Sequence, residues 1–97
     1  MLVANLHQQL AFFQQQININ NKHMAREYPL ASSNLSTCSW EADEFHDGDI
    51  GTLTITFKGN RTYRYERVPE DVFYGLLHAS SPGGYFNLTI KNVYDVI

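Results

Sequence analysis

The chain predicts a small α+β domain: an antiparallel β-meander packed with one α-helix, in the order β-β-β-α-β. Three observations carry that expectation. Apolar residues alternate strictly from Gly51 to Phe57, a Lys58-Gly59-Asn60 turn leads into Tyr63-Arg64-Tyr65, and a proline-started amphipathic segment follows directly. At 97 residues the chain has length for one core and not for two. Its 43% hydrophobic content supplies that core and excludes disorder throughout.

Residues 1–23 are the first of two units. They contain no Asp or Glu, and Lys22 is their only Lys or Arg. Leu2, Leu6, Leu10, Phe13 and Ile17 recur at spacings of four, four, three and four, the apolar stripe of an amphipathic N-terminal helix. A lone helix of this kind is marginal in water. The segment therefore reads either as a leader or tag outside the fold, with Met24 an alternative start, or as a helix that docks on the domain or on a second subunit.

Residues 24–97 form the domain. Tyr28 to Glu41 reads as extended, with a turn at Ser32-Ser33-Asn34 and a strand end at Cys38-Ser39-Trp40. Glu41 to Asp49 is a hydrophilic loop with five acids and His46. In the next strand Leu53, Ile55 and Phe57 alternate with Thr52, Thr54 and Thr56, the pattern of a half-buried strand of high β propensity. Arg61 to Arg67 is the return strand. A two-residue turn would set Ile55 against Arg64 and mismatch the faces. A three-residue loop, Lys58 to Asn60, sets Ile55 against Tyr63 and Leu53 against Tyr65, and gathers every large apolar residue on one side. Asn60 suits the left-handed conformation that such a loop requires.

The helix follows. Pro69 suits its first position, and Glu70 and Asp71 suit the positive end of its dipole. Val72, Phe73, Leu76 and Leu77 form the apolar stripe, and Ser80 to Gly84 stops it. Gly75 inside the helix costs about 1 kcal/mol relative to alanine, which points to close packing at that position. Tyr85-Phe86-Asn87, Ile90 and a short C-terminal strand, Val93 to Ile97, complete the chain.

Several function classes are disfavoured. One cysteine, Cys38, excludes an intrachain disulfide framework and a thiolate zinc site. No apolar run reaches membrane-spanning length, and no basic n-region precedes an apolar h-region, so a cytoplasmic protein without membrane partners is expected. The Asn-x-Ser/Thr triplets at Asn34, Asn60 and Asn87 are then coincidental. The acidic loop lacks the glycine and glutamate spacing of a calcium loop and reads as a solvated face, so no metal and no cofactor is expected. Cys38 has no histidine at a spacing that suggests nucleophilic catalysis. No catalytic site is expected.

The binding candidates are aromatic, basic and polar. Tyr63 and Tyr65 are suited to stacking on bases, although their register beside Leu53 and Ile55 also makes them core residues. Arg61, Arg64, Arg67 and Lys91 are suited to phosphate contacts, with Arg61 and Arg67 expected on one side of the strand and Arg64 on the other. Ser33, Asn34, Tyr85 and Asn87 are candidates for a small polar pocket, with turn and capping hydrogen bonds as the simpler role for the serines and asparagines. The net charge of −3 argues against a general polyanion binder.

Ser32-Ser33-Asn34-Leu35, the Thr52–Phe57 strand, Tyr63-Arg64-Tyr65, Val68-Pro69-Glu70, Leu76-Leu77 and Gly84-Tyr85-Phe86-Asn87, with Ile90 and Tyr94, occur in that order. From about Tyr28 to Ile97 the chain thereby resembles the KTSC domain family, named for a segment at the C-terminus of some lysyl-tRNA synthetases and also found as free-standing bacterial and phage proteins. The resemblance implies a compact α+β domain with a central Tyr-x-Tyr strand, and an association with RNA or tRNA. Two departures weaken the RNA expectation. Lys91 is the only base from Leu88 to Val93, where arginines are frequent in the family, and the acidic loop is long. Two non-catalytic readings follow: a module associated with RNA or tRNA, and a protein-interaction module, phage-derived, whose partner is a host or assembly protein or a second copy engaged through residues 1–23.

Overall fold

The hairpin anticipated at Lys58 to Asn60 sits inside a four-stranded antiparallel sheet whose strands lie in sequence order: β1 (Tyr28–Pro29), β2 (Leu35–Ala42), β3 (Ile50–Phe57) and β4 (Thr62–Pro69). Helix α1 (Glu70–His78), a single helical turn α2 (Pro82–Tyr85) and a π-helical turn (Phe86–Ile90) follow. The computed structural model describes residues 25–44 and 48–97. The helix expected within residues 1–23 lies outside the described residues. No helix among the described residues is long and apolar enough to cross a membrane.

The loop closes as the apolar pattern requires. Phe57 N–H donates to the Arg61 carbonyl at 2.7 Å, Ile55 pairs with Tyr63 and Leu53 with Tyr65. Gly59 and Asn60 take the positive φ values of 98° and 70° that the turn demands. Leu53 and Ile55 are fully buried and Tyr65 nearly so.

The alternation then breaks. Gly51 pairs with Val68 while Leu53 pairs with Tyr65, so Thr52 faces both Glu66 and Arg67. This is a β-bulge, and Arg67 sits at φ 58° within it. Strict alternation had placed Arg67 on the tyrosine side together with Arg61. The inserted residue corrects this: Val68 takes the interior position and Arg67 is exposed. Trp40 anchors the bulge. Its indole Nε1–H donates to the Val68 carbonyl at 2.9 Å, and its ring stacks on Phe73 of α1 at 6.1 Å.

α1 begins one residue later than expected, with Pro69 as its N-cap and Glu70 N–H bonded to the Asp49 carbonyl at 2.8 Å. Phe73 and Leu76 are its buried residues, and Val72 and Leu77 pack against the same core from its margin. Gly75 lies under Tyr85, whose hydroxyl donates to the Val72 carbonyl at 3.0 Å. A β-carbon at Gly75 would collide with the Tyr85 hydroxyl and ring.

Three further differences from the sequence expectation have local causes. β1 ends at Pro29 because the chain turns soon after it at Ser32, whose hydroxyl accepts from the N–H groups of Asn34 and Leu35. Pro82, read as a stop, also starts α2: the Ser81 hydroxyl accepts from Gly84 N–H at 3.2 Å and caps it. The expected strand Val93 to Ile97 is reduced to one bridge, Val96 to Tyr65, flanked by Glu66 N–H to the Asp95 carbonyl and Ile97 N–H to the Arg64 carbonyl. Val93, Val96 and Ile97 remain exposed, so no burial favours a longer pairing.

Gly75→Ala gives a direct test of the α1–Tyr85 contact. Helix propensity alone would raise stability by about 1 kcal/mol. Overpacking against Tyr85 reverses the sign, with an expected loss of about 1–3 kcal/mol, read as a lowered midpoint in urea by circular dichroism. A stabilised variant would show that Tyr85 moves aside freely.

Candidate functional site

An open cleft of ≈ 970 Å³ lies at the hairpin end of the sheet, bounded by the β3–β4 loop, the Ser33-Asn34 turn, the segment from Gly83 to Asn92 and the C-terminal residues Tyr94 to Val96. Its aromatic side is a chain of edge-to-face contacts. Tyr63 meets Phe57 at 5.6 Å, Phe57 meets Phe86 at 5.4 Å, and Phe86 meets Tyr65 at 5.8 Å. The ends of that chain differ. Tyr65 is 5% exposed and Tyr63 37%. Burial, and secondarily the neighbouring Tyr63, push the Tyr65 phenol above its ordinary value, so Tyr65 is a neutral wall residue. Tyr63 is held in place by Phe57 and opens into the cleft.

Lys58, Arg61 and Lys91 line the same cleft, and among the described residues Asp95 is its only acid. The polar remainder includes Ser33, Asn34, Asn87 and Asn92. Of the residues predicted from sequence, Ser33, Asn34, Arg61, Tyr63, Tyr65, Asn87 and Lys91 are thus brought together. Three are not. Arg64 pairs with Thr54 and is exposed outside the cleft, Arg67 belongs to the bulge at the opposite end of β4, and Tyr85 supports α1. Sequence reasoning missed Lys58, Phe57 and Phe86. The signal for Lys58 was present in the loop length, since the first residue of a three-residue loop stands at the same end as Arg61. Its backbone N–H donates to the Asn34 carbonyl at 2.8 Å, which ties the loop to the opposite wall.

Four other acids lie at the opposite end of the sheet. Glu41, Asp43, Glu44 and Asp49 flank or belong to the β2–β3 loop, and Asp49 is bonded through its carbonyl to Glu70 at the start of α1. Eight residues of β3 separate that end from the cleft, roughly 25 Å at 3.3 Å per residue. The Debye length is about 8 Å at physiological salt, so the acidic end does not cancel the basic one. The net charge of −3 describes the sum and not the cleft. Residues 45–47 of the loop lie outside the described residues, and among the described residues no group of three His, Cys, Asp or Glu side chains is placed to hold a metal ion.

Cys38 faces the core at 1% exposure, and burial pushes its thiol up to about 12. His78 Nδ1 lies 2.8 Å from the Tyr74 carbonyl at the end of α1. The cysteine has the environment of a packed apolar residue and not of an activated nucleophile.

The family model of the KTSC domain matches residues 31–94. Among solved structures the chain is similar to the KTSC domain protein YPO2434 from Yersinia pestis, with a TM-score of 0.61 and 28% sequence identity over 74% of this chain and 93% of that one. No curated protein matches the chain. The matched stretch contains the whole cleft except Asp95 and Val96.

The native Cys38 thiol is expected to be inert toward an aromatic disulfide reagent at pH 8 and to react fully after denaturation in guanidinium. Its folded pKa lies above its unfolded one, so it stabilises fully below about 9 and that contribution is lost as pH rises toward 12. Stability measured by urea titration should therefore fall through this alkaline range, and Cys38→Ala should flatten the fall. Rapid native labelling at pH 8 would contradict the buried placement.

Proposed function

The chain belongs to the KTSC domain family, and we propose that this member is a non-catalytic cytoplasmic module that binds single-stranded nucleic acid, unpaired segments of tRNA among it, through the cleft. The observation that carries the reading is an exposed aromatic ring, Tyr63, set among three cations, Lys58, Arg61 and Lys91. Single-strand sites combine these two elements. Cations hold the backbone phosphates, and an aromatic face stacks on a base for about 1–3 kcal/mol without demanding its identity. The cleft is open and its uncharged polar groups are amides and hydroxyls, which suits a flexible strand.

A second reading, a protein-interaction module, rests on a different surface. Leu88 is 85% exposed and Val93 59%, more than a packed domain needs to show. This reading expects the full chain to self-associate or to hold a protein through these exposed side chains, with Leu88→Ser and Val93→Ser abolishing a concentration-dependent shift in sedimentation. Monomeric sedimentation across the range would count against the self-associating form.

The test of the first reading is a fluorescence-anisotropy titration of the full chain with a labelled decauridine and with total tRNA at several salt concentrations. Three phosphate contacts give an expected slope of about −2 in log K against log salt for a single strand, and alanine at Lys58, Arg61 or Lys91 should each flatten it by about 0.7. Tyr63→Ala should weaken binding by roughly tenfold, the equivalent of about 1.4 kcal/mol in the stacking range. Arg64→Ala should leave binding unchanged, because Arg64 lies outside the cleft. Absence of binding at low salt, or equal losses for Arg64→Ala and Arg61→Ala, would sink the reading.

A further inference from the structure

Behind the cleft the surface continues into a second recess of ≈ 330 Å³, and Ser33, Asn34, Gly83 and Asn87 form walls of both. The two halves differ in chemistry. The cleft holds the cations and the aromatic rings. Among the described residues the recess has no charged and no aromatic side chain; its polar groups are the hydroxyls of Ser32, Ser33, Ser80 and Ser81 and the amides of Asn34 and Asn87. We propose that this recess is a ribose subsite that reads the sugar 2′-hydroxyl, so that the site prefers RNA to DNA of the same sequence. The inference rests on the single-strand reading of the cleft.

Hydrogen-bond accounting supports the assignment. The Ser32 hydroxyl accepts from the N–H groups of Asn34 and Leu35, at 3.1 and 3.0 Å, and the Ser81 hydroxyl accepts from Gly84 N–H at 3.2 Å. A hydroxyl whose lone pairs are engaged in this way keeps its hydrogen to donate. The Ser33 hydroxyl and the Asn34 and Asn87 amides make no side-chain hydrogen bond to another described residue, so donors and acceptors are both on offer. A 2′-hydroxyl is itself donor and acceptor, and it is the group by which a protein distinguishes RNA from DNA.

The alternatives fit less well. A phosphate would lie against the cations of the cleft and not in a neutral recess, and a base would lack an aromatic partner there. In a nucleotide the sugar stands between phosphate and base. On this proposal a strand with its phosphates at Lys58, Arg61 and Lys91 and a base on Tyr63 runs its sugars past Ser33, Asn34 and Asn87, which line both cleft and recess. Asn87, within the π-helical turn, lines both cleft and recess, and Lys91, just after that turn, lines the cleft.

The experiment compares three labelled hexamers with the full chain: uridine, 2′-deoxyuridine and 2′-O-methyluridine, identical in base and phosphate. The uridine strand is expected to bind about tenfold more tightly than the other two. Ser33→Ala combined with Asn87→Ala should remove the preference, lowering uridine affinity by more than deoxyuridine affinity. Both positions are exposed, and an unchanged melting midpoint separates lost contacts from lost folding. Equal affinity for the uridine and deoxyuridine strands would overturn the ribose subsite while the cleft reading stands, as would a preference that survives the double substitution. Binding of neither strand would overturn both.

Discussion

The bond from Phe57 N–H to the Arg61 carbonyl closes the β3–β4 loop after three residues, and the rest of the domain depends on where it falls. With this closure Leu53 and Ile55 face Tyr65 and Tyr63, and the apolar side of the hairpin becomes the floor on which α1 and the π-helical turn pack. A slip of one residue would turn the threonines inward and expose the leucine and isoleucine, because side chains alternate with a period of two. The same closure sets Lys58 and Arg61 at one end of the sheet. Fold and cleft thus share one constraint.

The second determinant is the bulge opposite Thr52. Without it, Arg67 would follow Tyr65 into the interior and Val68 would face solvent. Burying an arginine without a partner is prohibitive, so the extra residue resolves a conflict that strict alternation would create. Arg67 takes a left-handed conformation that costs of order 1 kcal/mol or more in a non-glycine residue. Trp40 offsets part of this by bonding the Val68 carbonyl and stacking on Phe73, which ties the sheet to α1 at the end away from the cleft.

Much of this architecture was legible in the sequence, and the reasons separate by range. The hairpin register, the left-handed Asn60, α1 and the tight place of Gly75 follow from patterns within a dozen residues. The bulge was not legible, since its cause is the competition between Arg67 and Val68 for an interior site, set across strands. The second helical segment was hidden because Ser81-Pro82 reads equally as a stop and as a start. For the site, the polar and aromatic residues were visible as types, and their convergence was not. Lys91 reaches the hairpin only because the chain turns back through α2 and the π-helical turn, and Arg64, adjacent to both tyrosines in sequence, is excluded by the alternation that places them.

Tyr63 and Tyr65 show how position, and not residue type, divides core from site. They are two residues apart on one face of one strand, each with an aromatic neighbour. Tyr65 lies deeper, between Phe86 and the bridge to Val96, and is buried. Tyr63 lies toward the loop, where Phe57 supports its ring from the side and no helix among the described residues covers it. An aromatic ring braced at its edge and partly exposed loses little conformational freedom on stacking, which favours binding by pre-organisation. Glu41, Asp43, Glu44 and Asp49 cluster at the far end of β3, beyond the reach of their field at physiological salt, and Asp95 faces three cations in the cleft, so the ring stands in a locally basic setting on an acidic protein. This separation of charge along the strands reconciles the overall balance of the chain with a site for a polyanion.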